Sequence, residues 1–164
     1  MADDRPAVER IQPPDALWTY AVNPVVKLVL RTLGGSRIGD RLMLLHYRGR
    51  RTGKSYELPV GHHDANGRMV VLTTSGWRAN FRGGHECEVT LKGVRRPAHA
   101  TLVEEPEEVA KVYRTLIGRI GPSKAQRQLG LRVNIDRVPT HDELARAAER
   151  EGLSVLEVEV DPAV

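Results

Sequence analysis

The chain has 164 residues, 40% of them hydrophobic but only 4% aromatic, so it is long enough for one domain whose core rests on Val, Leu, Ile and Ala. A formal net charge of +4 and a sequence pI near 9.5 suit an anionic partner, and a phosphorylated small molecule explains this modest, local excess as well as nucleic acid does; with no aromatic-basic interleaving on one strand face, nucleic acid is the weakest reading. The single cysteine, Cys87, excludes an internal disulfide, and the N-terminus carries no signal-peptide apolar stretch, so a reduced, cytoplasmic setting is expected.

Residues 1–14 read as a flexible arm, and residues 15–164 as a single domain. Asn23 suits a helix cap, Pro24 the first helical position and Gly34 the exit, which frames a helix of about ten residues. Val25, Val26, Leu28, Val29, Leu30 and Leu33 make it apolar on most sides. Such a helix is buried by its own domain or a partner chain, or it anchors the protein peripherally to a membrane surface. Lys27 and Arg31 make it a poor membrane span.

The period then changes. Arg41–Tyr47 is a continuous apolar run and reads as a buried strand. Tyr56, Leu58, Val60 and His62 alternate with Glu57, Pro59 and Gly61. Asp64-Ala65-Asn66-Gly67 is a hairpin turn, because Asn-Gly tolerates positive φ. Arg68–Thr74 returns as a strand. Cys87, Val89 and Leu91 alternate with Glu86, Glu88, Thr90 and Lys92; Gly93 turns the chain, and Pro97–Val103 runs back. The last third returns to helix. Pro106, Glu107 and Glu108 open one helix that Gly121-Pro122 ends, and Thr140 with Glu143 forms a capping box for another that ends near Gly152. Leu156, Val158 and Val160 form a closing strand. The expected class is α+β, a small β-barrel of about six mainly antiparallel strands with flanking helices.

Three groups of residues carry chemistry. The first is Arg48-Gly49-Arg50-Arg51-Thr52-Gly53-Lys54-Ser55, with four cations in seven residues beside glycines and hydroxyls. Glycines let backbone N–H groups approach an oxyanion, and Arg and Lys neutralise it. A nucleotide P-loop is excluded: it needs four residues between its first glycine and Gly-Lys-Ser/Thr, three lie between Gly49 and Gly53, and a strand follows instead of a helix. Anion binding is favoured over a solvated basic turn. The second group runs from Thr73 to Gly84. Trp77 either packs on a planar ring or plugs the core; Ser75, Arg78 and Arg82 suit phosphate or carboxylate, and Asn80 can orient a ring. The third is the histidines. His62 and His63 point to opposite faces of a strand, and no spacing among His85, Cys87 and His99 matches a zinc site, so no metal is expected. Cys87 falls on an apolar face as a packing residue.

Taken together, Leu44-Leu45-His46-Tyr47-Arg48-Gly49-Arg50-Arg51-Thr52-Gly53-Lys54, then Leu58-Pro59-Val60, Trp77, Asn80, Phe81 and Arg82-Gly83-Gly84, resemble the deazaflavin-dependent nitroreductase family of actinobacteria. These are split β-barrel proteins related to the flavin-binding pyridoxamine oxidase-like group, and the resemblance covers about residues 23–105. It implies an oxidoreductase that passes hydride from reduced coenzyme F420 to an electron-poor conjugated acceptor such as a quinone, enone or nitro-aromatic. It places Arg48, Arg50, Arg51, Thr52, Gly53 and Lys54 at the anionic part of the cofactor. Leu58, Pro59 and Val60 lie along its ring, with Ser75, Trp77, Arg78 and Asn80 as the second wall. Tyr56 and Tyr113 are the candidates for proton donor. Two alternatives stand beside this reading: an FMN-dependent member, and a non-catalytic barrel that carries a lipid or haem-type ligand. The second is motivated by the apolar Val25–Leu33 helix and by Arg78 standing where the family has a second aromatic. Monomer and homodimer are both open.

Overall fold

The computed structural model describes residues 5–10 and 41–162, apart from the side chains of residues 126 and 127. The expected helix at 24–33, and with it any membrane contact through that helix, lies outside the described residues. Among the described residues no helix is long and apolar enough to cross a membrane. The class is α+β, as expected, with a curled antiparallel half-barrel of strands and flanking helices. The chain forms two compact units. One comprises Met1–Pro13, Leu72–Thr74 and Val103–Val155; the other comprises Pro14–Val71, Ser75–Leu102 and Leu156–Val164.

The second unit is built on the sheet. The strands of the sheet are β2 (Leu42–Arg48), β3 (Ser55–Gly61), β4 (His63–Ala65), β5 (Arg68–Thr73), β6 (His85–Leu91), β7 (Val94–Val103) and β9 (Ser154–Val160), numbered together with β1 (Val8–Arg10) and β8 (Leu131–Val133). Their order is β3-β2-β6-β7-β9-β5-β4. Met43, Leu45 and Tyr47 of β2 join Cys87, Val89, Ala98, Ala100, Leu156 and Val158 in the core. Leu44 and His46 point to the opposite face and are buried as well, which is why β2 reads as an unbroken apolar run instead of an alternation. β3 lies at the sheet edge, the place where Pro59, with no N–H to donate, is tolerated. The turn between β4 and β5 is the expected Asn66-Gly67 pair, with φ of 55° and 84°, and Asp64 Oδ1 accepts from the Gly67 N–H at 2.7 Å. Lys92 and Gly93, with φ of 49° and 80°, make the matching turn between β6 and β7.

The first unit is mainly helical. α1 (Pro106–Ile120) opens with Pro106, Glu107 and Glu108, and buries Val109, Tyr113, Leu116 and Ile117. The sequence reading ended the helical run at Gly121-Pro122. The structure begins α2 (Pro122–Leu129) there instead, because proline at the first helical position can start a helix as well as stop one. α3 (His141–Glu151) carries the expected capping box: Glu143 N–H donates to Thr140 Oγ1, and Thr140 N–H to the Glu143 carboxylate. Val8–Arg10, placed by the sequence reading in a flexible arm, forms β1, paired antiparallel with β8 (Leu131–Val133). Val8 is buried, Asn134 holds the carbonyls of Pro6 and Ala7, and Arg150 Nη2 donates to the Val8 carbonyl at 2.6 Å.

Candidate functional site

β2 and β3 are joined by the basic turn. Gly49 N–H donates to the Lys54 carbonyl at 2.9 Å, and Gly53 N–H to the Gly49 carbonyl at 2.8 Å. Gly53 has φ of 68°. A Cβ on Gly49 would lie 2.9 Å from Thr52 Oγ1 and 3.0 Å from the Tyr56 ring, so only glycine lets the turn fold down on that ring. Lys54 N–H donates to Thr52 Oγ1 at 3.3 Å.

Arg50 ties this turn to the second group of residues. Its N–H donates to Asn80 Oδ1 at 3.0 Å, and its guanidinium donates to the carbonyls of Arg82 and Gly84, both at 2.6 Å. Asn80 in turn donates through Nδ2 to the Trp77 carbonyl at 2.7 Å. Trp77 and Asn80 lie on a 3-10 helix, Gly76–Phe81. The two segments that the sequence singled out are therefore brought together, some thirty residues apart along the chain.

Arg50, expected at the anion, has its fork turned onto backbone carbonyls. A bidentate guanidinium fits two neighbouring acceptors, and the segment that follows the 3-10 helix offers them. Arg48, Arg51 and Lys54 have exposed side chains with no partner among the described residues. They remain able to meet an external anion. Asn80, expected to orient a bound ring, instead holds Arg50 and Trp77.

Behind the turn lies a group of rings. Tyr56 stacks on Tyr47 with centroids 5.3 Å apart and planes 20° from parallel. Trp77 and Phe81 lie 6.2 and 5.2 Å from Tyr47. Trp77, Leu58 and Val60 pack against the core, so Trp77 plugs it as well as flanking the turn. Burial, with Tyr56 beside it, raises the Tyr47 pKa and keeps that hydroxyl neutral.

A cavity of about 620 Å³ opens beside these residues, a size in the range of small-molecule sites. Arg48 and Ser55, at the two ends of the basic turn, line it, with Tyr47 and Tyr56. So do His46 and Glu57, which sequence reasoning did not single out. They are register partners across β2 and β3, and His46 Nδ1 lies 3.3 Å from the Glu57 carboxylate. His46 Nε2 lies 2.7 Å from Thr90 Oγ1. The available signal was a histidine inside an otherwise apolar strand, opposite a glutamate in the facing one.

Tyr113, offered as a proton donor, sits in α1 with its side chain buried. Burial drives its pKa upward, so its hydroxyl holds its proton, and it serves as a packing residue of the helical unit. Tyr56 is 39% exposed, with its hydroxyl 3.5 Å from Thr52 Oγ1. Cys87 is buried as expected; burial, with Glu86 and Glu88 beside it, pushes its thiol up to about 12. Among the described residues, no three His, Cys, Asp or Glu side chains gather where they could hold a metal ion.

Comparison with curated proteins gives no match. Among solved structures, a conserved hypothetical protein, Rv2991 from Mycobacterium tuberculosis, is similar at 16% identity and a TM-score of 0.43, over 83% of this chain and 80% of that one. The General Stress Protein 26 from Bacillus anthracis is similar at 12% identity and a TM-score of 0.38, over 83% and 89%. A putative 5-nitroimidazole antibiotic resistance protein from Bacteroides thetaiotaomicron is similar at 8% and 0.39, over 94% and 84%. The family model of the F420H(2)-dependent quinone reductases matches residues 23–138, a span that holds the basic turn, the Trp77 helix and the cavity. The chain belongs to the family of F420H(2)-dependent quinone reductases.

Proposed function

We propose that the protein passes a hydride from reduced F420 to an electron-poor conjugated acceptor, a quinone, enone or nitro-aromatic, in the 620 Å³ cavity beside the basic turn. The observation that carries this reading is the Arg50 brace. It joins the cation-rich turn to the Trp77 helix and leaves Arg48, Arg51 and Lys54 for an external anion. The donor set fits the cofactor family: three exposed cations suit a phosphate and an oligoglutamate tail, and the stacked Tyr47 and Tyr56 beside the cavity suit a planar ring.

In this reading Arg48, Arg51 and Lys54 neutralise the tail. Gly53 gives the turn its backbone path, and Thr52 stabilises it through Lys54 N–H. The expected ring walls, Leu58, Pro59 and Val60 on one side and Ser75, Trp77 and Arg78 on the other, are not among the residues that line the cavity, so in this reading the ring rests against Tyr47 and Tyr56. Asn80 and Arg50 tie the basic turn to the Trp77 helix. The reduced deazaflavin, when bound, supplies the hydride; the protein supplies orientation and electrostatics. A cytoplasmic setting accompanies the reading, supported by the single buried thiol.

The test is an anaerobic assay of the purified protein with reduced F420 and a soluble quinone, repeated with reduced FMN. The expected result is quinone-dependent oxidation of reduced F420 that is much faster than oxidation of FMN. Tight F420 binding with no turnover of a quinone, an enone or a nitro-aromatic would contradict it.

A further inference from the structure

Hydride addition to a quinone leaves an oxyanion that must take up a proton; Tyr113 is buried in the helical unit, and the Tyr56 hydroxyl lies 3.5 Å from Thr52 Oγ1 with no group beside it, among the described residues, that would resupply a proton. We propose that Glu57 is the proton donor to the acceptor and that His46 is the group that supplies Glu57; this rests on the reductase reading of the cavity.

Both side chains line the cavity. His46 is held from two sides, by Thr90 Oγ1 at 2.7 Å from Nε2 and by the Glu57 carboxylate at 3.3 Å from Nδ1. Its side chain is 10% exposed and that of Glu57 21%, so the carboxylate is the more solvent-exposed member of the pair. The register makes the pair: His46 and Glu57 sit directly opposite across β2 and β3, on the face away from the aliphatic core. Both ring nitrogens of this buried histidine have a partner, and the one on Nδ1 is ionisable. This one is oriented by a hydroxyl and faces a carboxylate at the wall of a cavity.

The charged neighbours allow the pair to cycle. Glu88 of β6 is the register partner of His46 on its other side and is held by a bidentate contact from Arg95 of β7 at 3.0 Å on both oxygens. Arg95 lines the same cavity and also attracts Glu57, and Arg48 stands at the end of β2. Arg95 thus neutralises Glu88, which leaves Glu57 as the carboxylate that balances an imidazolium at His46. The acceptor receives two electrons and one proton as hydride, forming one bond to hydrogen and an oxyanion. The imidazolium releases its Nδ1 proton to Glu57, which passes it to the oxyanion and ends, as it began, as a carboxylate. His46 is left as neutral imidazole and regains a proton from water.

The test uses the full chain and the variants Glu57→Gln, His46→Gln and, as a control for folding, His46→Asn. Three readouts are taken: oxidised F420 affinity, the pH profile of turnover with a quinone, and the His46 imidazole titration by nitrogen-edited NMR on the free protein. The expected result is that every variant still binds F420, with turnover lowered about a hundredfold in Glu57→Gln at saturating F420. The parent's activity falls as pH rises through the His46 titration seen by NMR, and that limb disappears in both His46 variants. Glu57→Gln turning over at the parental rate with the parental pH profile would overturn the proposal, as would an imidazole that stays neutral between about pH 5 and 8. Failure of the reductase reading is separate: the parent itself would then show no quinone turnover, while the NMR titration still reports whether the pair holds a proton.

Discussion

Arg50 holds two backbone carbonyls with one planar group, and that geometry sets what its replacement does. Hydrogen bonds from a charged donor contribute about 1.5–3 kcal/mol each in partly buried settings and less where water competes. Arg50→Ala is therefore expected to destabilise the protein by about 1–3 kcal/mol in urea denaturation. It also frees the amides of Gly76–Gly84 to exchange faster by hydrogen–deuterium mass spectrometry. Arg50→Lys should recover little of this, because an ammonium cannot span the Arg82 and Gly84 carbonyls at once. Gly84 shows the same dependence on shape. Its φ is 89°, and a Cβ there would lie 2.6 Å from His99 Nε2, a ring that Glu86 holds at 2.7 Å through its other nitrogen. Gly84→Ala is expected to cost about 1–3 kcal/mol, read as a lower denaturation midpoint at unchanged slope. Cys87, with its thiol pushed up to about 12, should not react with a thiol reagent at neutral pH until the protein is unfolded.

At the scale of elements, α3 is held by its cap. Glu143 accepts from Thr140 N–H and from the Arg137 guanidinium, and these bonds hold its carboxyl down from the ordinary 4.5 to about 2. A carboxylate depressed in the folded state adds stability above its unfolded pKa, and that stability is lost as pH falls through the folded value. The cap contribution should therefore be complete near neutrality and fade between about pH 4.5 and 2. Glu143→Gln should remove this part of the acid lability, and Thr140→Ala should lower stability by about 1 kcal/mol at neutral pH, both followed by circular dichroism. This cap was legible because Thr140 and Glu143 announce themselves by local spacing, as Asn66-Gly67 does for the hairpin. β1, β8 and α2 were not. Three-residue strands carry no period, and β1 pairs with β8 across more than a hundred residues. Pro122 reads as a stop signal until the helix it starts is seen.

At the scale of the molecule, the site was half legible. Composition placed four cations and two glycines in one turn, and that much required no coordinates. It did not tell Arg50 from Arg51, since which guanidinium turns inward is set by the backbone path through Gly49 and Gly53 and by the carbonyls 32 and 34 residues away that receive it. Nor did it disclose His46 and Glu57, whose pairing exists only in the register that the turn fixes. The exposed cations also set how binding responds to ions. Charges in water are screened over about 8–10 Å at physiological ionic strength, so added salt should weaken cofactor binding.

The central claim is that Arg51 and Lys54 clasp the anionic part of the cofactor. It is tested most directly by titrating F420 into the parent and into Arg51→Ala with Lys54→Ala, by fluorescence, at low and high salt. The account predicts a rise in Kd of about ten- to hundredfold or more in the double variant, with the salt dependence flattened and the denaturation midpoint within error of the parent. An unchanged Kd with the parental salt dependence would contradict it.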